Sequence, residues 1–291
     1  MMRVVILGCG YVGLELARQL TPAHDVFGVR RSEAGLDAVA AAGADPVQAD
    51  VTDPESLAAV PDVDAIVFAA SSGGRDAEAA RSVYVEGLRT VVETFGARDS
   101  PPDRLVYTSS TGVYGDHDGD WVDEETPLSP MTAKTRVLVE ADRLARELPA
   151  EYGIDGGVAR FAGLYGPDRY RLDRYLEGPV TEGYLNMIHR EDAAGVLGFM
   201  LESTDATLLL AVDDEPVDKW TFADWLADEC GVDPPPKRTR AERLSEDLGE
   251  AARRRIQASK RCSNDRLRAL GYAFRYPTFR AGYRTAIADR L

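Results

Sequence analysis

Short apolar runs alternate with amphipathic stretches over residues 1–161. The β-branched run at residues 4–7 predicts a first strand, and apolar residues at helical spacing follow in 11–20. The same rhythm predicts strands at 25–29, 45–48, 64–70, 104–108 and 154–161, and helices at 33–41, 54–60, 76–96 and 132–148. Strands that alternate with helices at this spacing form a parallel sheet covered on both faces. The pattern therefore predicts an α/β fold with a doubly wound sheet.

Beyond residue 165 this regular pattern loosens. A polar insertion rich in Tyr and Arg occupies residues 166–185, and three proline residues interrupt the chain at 234–236. Between them we expect a helix at 190–202, a strand at 207–212 and a helix at 220–230, and helical stretches continue to the end. This part of the chain predicts a second, smaller region with a different organisation.

Composition narrows the class of protein. Hydrophobic residues make up 44% of the 291 residues, and the formal charge is −15. We therefore expect a packed soluble protein with neither a membrane span nor a nucleic-acid partner. The acids are 29 Asp and 20 Glu, whereas the bases are 30 Arg and only 4 Lys. Such a surplus is typical of proteins from a high-salt cytoplasm, but an ordinary acidic protein fits it equally well.

The charge is unevenly distributed. Residues 1–236 sum to −24, and residues 237–291 sum to +9. One interpretation is that these basic side chains are solvated helix faces paired with acids of the larger domain. The alternative is that a few of the arginines hold an anionic group of a substrate, for which a guanidinium is well suited.

The three cysteines carry little chemistry. Cys9, Cys230 and Cys262 form no disulfide framework and lack the spacing of metal ligands. The three histidines are also far apart in the sequence, so we expect no metal site. A reducing cytoplasm is the expected location, because residues 1–8 resemble a strand more than a targeting peptide.

A glycine motif links the first strand to the first helix. Gly8-Cys9-Gly10-Tyr11-Val12-Gly13 has the form GxGxxG. The first glycine permits a tight turn, the second lets the main chain approach a pyrophosphate, and the third allows close helix packing. The position between strand and helix predicts a dinucleotide site of Rossmann type.

The ends of the next strands indicate which cofactor binds. Arg30-Arg31-Ser32 ends the second strand, where an NAD site usually has an acid for the ribose hydroxyls. Two guanidinium groups attract a 2′-phosphate, so the sequence favours NADP over NAD. We expect Asp50 and Val51 to meet the adenine, and the small residues Ala69, Ala70 and Ser71 to let the cofactor lie against the sheet.

Several motifs together resemble the extended short-chain dehydrogenase/reductase superfamily, of the NAD-dependent epimerase/dehydratase type. They are the glycine motif, Asp50-Val51, and the runs 107–115 (YTSSTGVYG), 160–167 (RFAGLYGP), 186–192 (NMIHRED) and 267–272 (LRALGY). The resemblance covers nearly the whole chain in the expected order. It is strongest to an atypical branch of sugar-nucleotide epimerases and NAD(P)-dependent oxidoreductases with altered catalytic residues.

This resemblance implies a division into two discontinuous domains. Residues 1–165 and 186–215 would form the NAD(P)-binding Rossmann domain, and residues 166–185 and 216–291 a small substrate-binding domain. The helices at 76–96 and 132–148 resemble the pair through which family members often form homodimers.

The chain departs from the family at the catalytic positions. Active members combine a Ser or Thr on the fifth strand with a YxxxK helix, in which the tyrosine moves a proton and the lysine lowers its pKa. Ser110 matches the hydroxyl position, but the tyrosine and lysine positions fall on Thr132 and Arg136. A threonine hydroxyl has a pKa far above the value of ~10 for tyrosine. Arg136 could still bind the ribose and stabilise an oxyanion, and Lys134 is not in register with the family lysine.

Other residues are candidates for the missing proton donor. Tyr84 stands where the family has an Asn near the nicotinamide, and Tyr114 and His117 follow the fifth strand. The positions at which dehydratases have acids hold Thr111 and Gly112, which disfavours dehydration. His189 resembles a structural residue more than a catalytic base.

Two functions remain open from the sequence. One is an NADP(H)-dependent oxidoreductase or epimerase for a small polar or anionic, sugar-nucleotide-like substrate. The other is a non-catalytic NADP(H)-binding sensor or regulatory protein, in which the cofactor site persists without the chemistry. Fold alone does not separate them.

Overall fold

A computed structural model describes residues 1–74 and 76–290, apart from the side chain of Ala251. The strands are β1 (Arg3–Leu7), β2 (Asp25–Arg30), β3 (Asp45–Gln48), β4 (Ala65–Phe68), β5 (Arg104–Ser110), β6 (Trp121–Val122), β7 (Asp155–Phe161), β8 (Gly163–Tyr165), β9 (Val180–Thr181), β10 (Tyr184–Leu185), β11 (Met187–His189), β12 (Leu208–Ala211), β13 (Val217–Asp218), β14 (Lys237–Arg238) and β15 (Arg261–Cys262).

The α-helices are α1 (Tyr11–Leu20), α2 (Glu33–Ala41), α3 (Pro54–Leu57), α4 (Ala77–Arg81), α5 (Leu88–Gly96), α6 (Ala133–Glu147), α7 (Leu172–Leu176), α8 (Arg190–Glu202), α9 (Lys219–Glu229), α10 (Arg240–Leu244), α11 (Glu250–Gln257), α12 (Asp265–Ala269) and α13 (Phe279–Ala288). A π-helical turn, Ser82–Gly87, joins α4 to α5, and 3₁₀ turns occupy Thr111–Tyr114 and Leu148–Tyr152.

The central sheet has seven strands in the order β12-β7-β5-β4-β1-β2-β3. The pairs β1–β2, β1–β4, β2–β3 and β4–β5 are parallel. The strand order reverses direction at β1 and β4, which is the switch point where α/β sheets of this kind bind ligands. The predicted α/β fold of Rossmann type is confirmed.

Continuous burial explains why β1 and β4 form at the centre. Val4 to Leu7 and Ala65 to Phe68 are all buried. A strand that is covered on both faces has no polar side, so its sequence is a short run of apolar residues. Helix α1 packs with Val12, Leu16 and Leu20 buried, a spacing that places the three on one face.

The predicted long helix at 76–96 is interrupted. Residues 77–96 are helical throughout, but Ser82–Gly87 adopt the wider π turn with Tyr84 near its middle. Apolar spacing does not report such a turn, because one extra residue shifts the helix face without ending the helix. π turns of this kind often occur at functional sites.

The chain packs as two compact units. The first unit comprises Met1–Ser110, Ala133–Arg160 and Ala193–Leu209, and the second comprises Thr111–Thr132, Phe161–Asp192 and Leu210–Leu291. These limits differ from the predicted domains, which assign 111–132, 161–165, 186–192 and 210–215 to the Rossmann domain. The reason is local pairing: β6 pairs with β15, and β8 with β11, within the second unit.

Aromatic side chains form the core of the second unit. Phe222 is fully buried, and its ring lies 5.2 Å from the rings of both Phe279 and Tyr283. The Tyr165 ring stacks on Tyr283 with centroids 4.9 Å apart. These rings come from β8, α9 and α13, so the last helix belongs to the core of this unit.

Within the described residues, no helix combines the length and apolar character needed to cross a membrane.

Candidate functional site

The glycine turn after β1 has no room for side chains. Gly8 has φ +81°, and a Cβ built on it would lie 2.3 Å from the Cα of Ala70. A Cβ on Gly13 would lie 3.0 Å from the Ile6 side chain. The amide of Gly10 donates to the carbonyl oxygen of Gly8 over 2.6 Å, which closes the turn. The predicted need for glycine at these positions thus has a steric cause.

The N-terminus of α1 is prepared for an anion. Gly10 is its N-cap and offers no side-chain cap, and the first turn of the helix has no acidic residue. The first N–H groups of a helix lack intrahelical partners, and the helix dipole adds partial positive charge. The turn and the helix therefore fit a pyrophosphate above Tyr11 and Val12.

Arg30 and Arg31 lie beside this turn at the end of β2. The Arg30 guanidinium is half-buried, and its Nη1 donates to the carbonyl oxygen of Cys9 over 3.1 Å. The Arg31 side chain is 70% exposed, and its Nη1 lies 3.4 Å from Oδ2 of Asp50. Arg30 therefore contacts the glycine turn, and Arg31 lies beside Asp50.

Asp50 follows β3 and is organised by its neighbours. Burial raises its pKa, but hydrogen bonds from the main chain and hydroxyl of Thr52 and from Arg31 outweigh burial, so the pKa lies below its usual value. The Thr52 hydroxyl donates to Oδ1 of Asp50 over 2.8 Å. The carboxylate is thus ionised and fixed in position. Val51 beside it is buried.

The residues after β4 meet both the glycine turn and Tyr84. Ala69 and Ala70 are half-buried, and the close approach of Ala70 to Gly8 brings the ends of β4 and β1 together. Farther along, the Ser72 amide donates to the hydroxyl oxygen of Tyr84 over 3.3 Å. The Ser71 hydroxyl accepts from the amide of Gly73 over 3.3 Å. The sequence identifies Tyr84 as a candidate but gives no sign of these partners.

The three predicted catalytic residues fall in both units. Ser110 is the last residue of β5 and is half-buried. Arg136 is exposed on α6. Thr132 ends the segment 111–132 of the second unit and directly precedes α6, which begins at Ala133 rather than at 132.

A buried ion pair beneath α6 escapes prediction. Asp142 and Arg160 are almost completely buried, and Arg160 Nε donates to Asp142 Oδ2 over 2.7 Å. Burial raises the pKa of Asp142, and the Arg160 guanidinium and the Ser109 hydroxyl only partly oppose this. The pair joins α6 to β7 inside the first unit.

The basic residues of 237–291 have many partners within the second unit. Ion pairs join Lys237 to Asp224, Arg238 and Arg243 to Glu246, Arg254 to Glu250 and Arg268 to Asp214. Other guanidinium groups bind main-chain oxygens: Arg253 Nη1 donates to Leu244 over 2.8 Å, and Arg261 Nε to Gly119 over 2.7 Å. Much of the local positive charge is therefore used in structure.

One cluster of the second unit retains surplus positive charge. Lys219 begins α9 and is half-buried. Burial lowers its pKa, and the guanidinium groups of Arg174 and Arg240 lower it further. Nearby acids compensate in part, because Arg240 lies 3.8 Å from Glu182 and Asp218 precedes the lysine. A lysine held near two arginines fits an anionic ligand.

His189 and Asp192 have structural roles. The buried His189 ring lies 3.9 Å from the Tyr276 ring, and burial lowers the pKa of His189 to about 4. The Asp192 carboxylate accepts from the amides of Arg275 and Tyr276 over 2.7 and 2.8 Å. A neutral histidine and a saturated carboxylate anchor the segment before α13. Of the other proton-donor candidates, Tyr114 is fully buried and His117 half-buried.

Among residues 1–74 and 76–290, no group of three or more His, Cys, Asp or Glu side chains could hold a metal ion. Cys9, Cys230 and Cys262 are buried free thiols.

Comparison with known proteins identifies relatives along the whole chain. The description "NAD dependent epimerase/dehydratase family" belongs to the sequence model that matches residues 4–206. Protein YeeZ of Escherichia coli K12 is 30% identical over 95% of this chain and 97% of its own length.

Solved structures agree with this match. A protein from Methylobacillus flagellatus, described as a candidate NAD-dependent epimerase/dehydratase, is 30% identical, with a TM-score of 0.78 over 99% of this chain and 98% of its own. The UDP-glucose 4-epimerase of Thermotoga maritima reaches a TM-score of 0.81 over 99% and 98% of the two chains. At 15% identity, that likeness concerns the fold alone.

Proposed function

The chain belongs to the NAD-dependent epimerase/dehydratase family, and on this basis we propose that it is an NADP(H)-dependent oxidoreductase or epimerase with altered catalytic residues. Its substrate is a small polar molecule with an anionic group, similar to a nucleotide sugar. When bound, the nicotinamide supplies the hydride chemistry. The residues of this chain bind both molecules, orient the reacting oxygen and move its proton.

The proposal that the cofactor is NADP rests on Arg30 and Arg31. At the end of β2 the chain has Arg30 and Arg31 where an NAD site usually has an acid, and the nearby Asp50 carboxylate accepts from Arg31. Arg30 is held against the glycine turn by its bond to Cys9, and Arg31 is held by Asp50. A planar guanidinium in a fixed position forms strong bonds with a phosphate. This arrangement supports recognition of the 2′-phosphate by Arg31, with Arg30 close behind it.

The proposed work of the catalytic positions follows from their chemistry. The Ser110 hydroxyl orients the substrate oxygen. Thr132 cannot replace a tyrosine in proton transfer near neutral pH, because its hydroxyl hardly ionises. Arg136 stays protonated and donates to the ribose hydroxyls. Cofactor binding is thus retained, and the proton must come from another residue.

We further propose that the cluster of Lys219, Arg174 and Arg240 in the second unit binds an anionic group. Two guanidinium groups and a half-buried ammonium group suit a phosphate or diphosphate. Most other basic residues of the segment 237–291 that are described above already have partners. Of the three residues in the cluster, Arg240 alone belongs to that segment.

The alternative function is a non-catalytic NADP(H)-binding protein. Thr132 and Arg136 favour it, because both residues of the YxxxK pair are replaced. In that case the cofactor would bind as a signal, and the second unit would respond to its presence. A homodimer formed through the helices 77–96 and 133–147 is proposed for either function.

The deciding experiment incubates the purified protein with NADPH and a panel of ketones and nucleotide sugars. Nicotinamide absorbance and product stereochemistry are followed. We expect turnover of at least one compound, and Ser110→Ala should lower kcat by about 100-fold without changing the Kd of NADPH. The exposed Ser203→Ala is the matched control and should behave as wild type. Tight NADPH binding without turnover, unchanged by Ser110→Ala, would favour the binding protein.

A further inference from the structure

Tyr84 occupies an unusual place in the first unit. It lies in the π-helical turn Ser82–Gly87, and its side chain is buried. Its hydroxyl oxygen is 3.3 Å from the amide of Ser72 and 3.4 Å from the Ser72 hydroxyl. Both are donors that stabilise negative charge on the phenol oxygen.

The position of these bonds along the chain connects Tyr84 to the cofactor site. Ser72 follows Ala70 by two residues, and Ala70 lies against Gly8 in the glycine turn. The Tyr84 hydroxyl therefore lies at the edge of the sheet where β1 and β4 end, next to the switch point of the strand order.

Lys134 approaches Tyr84 from α6. Its Nζ is 5.6 Å from the centre of the Tyr84 ring and 2.5 Å from the carbonyl oxygen of Gly74. The residue is thus tied to the loop after β4 and held beside the phenol. It is two residues away from the family's lysine position, but it brings the same charge to a different tyrosine.

Other groups around Tyr84 are neutral or paired. From β5, the fully buried Tyr107 faces Tyr84, and burial raises its pKa well above the usual value, so it stays neutral. The Asp142 carboxylate also raises the pKa of Tyr107 and is paired with Arg160. On the turn before Tyr84, Arg81 pairs with Glu140 of α6 over 2.5 Å. Within residues 1–74 and 76–290, no carboxylate is seen to pair with Lys134, so its charge acts on the Tyr84 phenol.

The electrostatic result distinguishes Tyr84 from other tyrosines. Burial raises its pKa, but the Ser72 and Ser71 hydrogen bonds and Lys134 outweigh burial and lower the pKa below its usual value. Six tyrosines shift in the opposite direction, namely Tyr107, Tyr165, Tyr175, Tyr272, Tyr276 and Tyr283.

We propose that Tyr84 is the acid–base residue of this chain and that Lys134 is the positioning residue whose charge supports it. In the oxidation of an alcohol, the substrate hydroxyl gives its proton to the Tyr84 phenolate, and its carbon gives a hydride to NADP⁺. The C–O single bond becomes a carbonyl. In the reverse direction Tyr84 returns the proton as NADPH supplies the hydride. This inference rests on the proposed function, because it requires a reaction with NADP(H).

The first test measures ionisation and needs no turnover. Tyrosinate absorbance is followed against pH for the wild type, Tyr84→Phe, Lys134→Met and Lys134→Arg, with Tyr152→Phe as control. We expect one tyrosine to ionise below pH ~10, a step that Tyr84→Phe abolishes and Tyr152→Phe retains. Lys134→Met should raise that pKa, and Lys134→Arg should restore it. A wild-type titration that Tyr84→Phe leaves unchanged would overturn the inference.

The second test uses a substrate found in the panel described above. Tyr84→Phe should lower kcat by at least about 100-fold while the Kd of NADPH changes less than about twofold. In the oxidative direction kcat should rise with pH up to the pKa measured by absorbance. In Lys134→Met this rise in kcat should occur at higher pH. If the kcat of Tyr84→Phe is within threefold of the wild-type kcat, this inference fails and the proposed function stands. If the wild type binds NADPH but converts no compound, the proposed function fails and the acid–base role fails with it, even where the low pKa is found.

Discussion

The Arg30 guanidinium donates a 3.1 Å hydrogen bond to the carbonyl oxygen of Cys9, the residue between the first two glycines of the turn. The proposed recognition of the 2′-phosphate and the shape of the glycine turn therefore involve the same side chain. A change at Arg30 should alter both the charge near the ribose and the support of the turn.

Arg30→Asp combined with Arg31→Ala should weaken NADPH binding more than NADH binding. Loss of charge-assisted bonds to a phosphate should raise the Kd of NADPH by about 100-fold, whereas the Kd of NADH should change by less than about fivefold. Titration calorimetry with each cofactor measures both values. Arg18→Ala on the exposed face of α1 is the control. Equal losses for the two cofactors would contradict recognition of the 2′-phosphate.

Gly8→Ala should disrupt the turn far more than a comparable change elsewhere. Gly8 and Gly153 have similar φ values of +81° and +73°, but only Gly8 has main-chain atoms within 3 Å of the added Cβ. Gly153→Ala should cost ~1–2 kcal/mol from the left-handed backbone alone. Gly8→Ala should cost at least ~2 kcal/mol more, because Ala70 must move, and NADPH binding should be lost. Urea unfolding compares the two variants, and equal costs would mean that the close contact is easily relieved.

Arg160→Met should strongly destabilise the first unit. It leaves the Asp142 carboxylate buried without its guanidinium partner, which costs ~3–5 kcal/mol. The double variant Arg160→Met/Asp142→Leu should recover much of this loss, because it removes the unpaired charge. Arg143→Met breaks only the exposed pair with Glu147 and should cost less than ~1 kcal/mol. Denaturant unfolding of the wild type and these three variants measures the differences in stability. A small loss of stability in Arg160→Met would show that water reaches the carboxylate.

Asp213→Asn should stabilise the protein increasingly as pH rises. Burial and the nearby acids Glu215 and Asp214 raise the pKa of Asp213 well above its usual value, and its Oδ2 has no partner within the described residues. Since the folded pKa exceeds the unfolded value, the wild type loses stability as pH rises from about 4 through the raised pKa. The variant lacks this loss.

We expect Asp213→Asn to match the wild type within ~0.5 kcal/mol at pH 4.5 and to exceed it by ~1–3 kcal/mol at pH 8. Asp228→Asn, at an exposed position, should show little pH-dependent difference. A gain that is equal at both pH values would indicate packing rather than ionisation.

Lys219→Met should weaken binding of a nucleoside diphosphate such as UDP. Removal of the ammonium group from the cluster with Arg174 and Arg240 should raise the Kd by about tenfold. Lys237→Met removes a lysine paired with Asp224 at the surface and should leave the Kd within twofold. If both variants bind UDP as the wild type does, the anion site lies elsewhere.

Much of the Rossmann half can be predicted because its signals are local. The helix Glu33–Ala41 and the strand Asp45–Gln48 agree with the predicted bounds, and the glycine motif fixes the start of α1. Strands of two residues, such as β6 and β15, have no measurable period and pair only across 140 residues of chain. Their absence from the prediction has a physical cause, since their formation depends on tertiary contacts.

The candidate site divides in the same way. The sequence identifies Gly8 through the steric requirement of the glycine motif, and Arg30 through its charge at the end of the second strand. The partners of Tyr84 are Ser72, twelve residues away, and Lys134, fifty residues away, and only the packed helices bring them together. Likewise, Asp142 is one of 29 aspartates until the fold buries it beside Arg160.

The Asp192 carboxylate accepts hydrogen bonds from residues that are synthesised much later than Asp192 itself. Its two amide donors, at Arg275 and Tyr276, leave the ribosome more than 80 residues after it does. All residues of the first unit have been made once Leu209 is added, whereas the second unit needs the segment Leu210–Leu291. Because domains fold as units during translation, we expect the first unit to fold before Arg275 and Tyr276 have been synthesised and can bind Asp192. We therefore expect a chain with a premature stop near the C-terminus to contain every residue of the first unit and to lack part of the second.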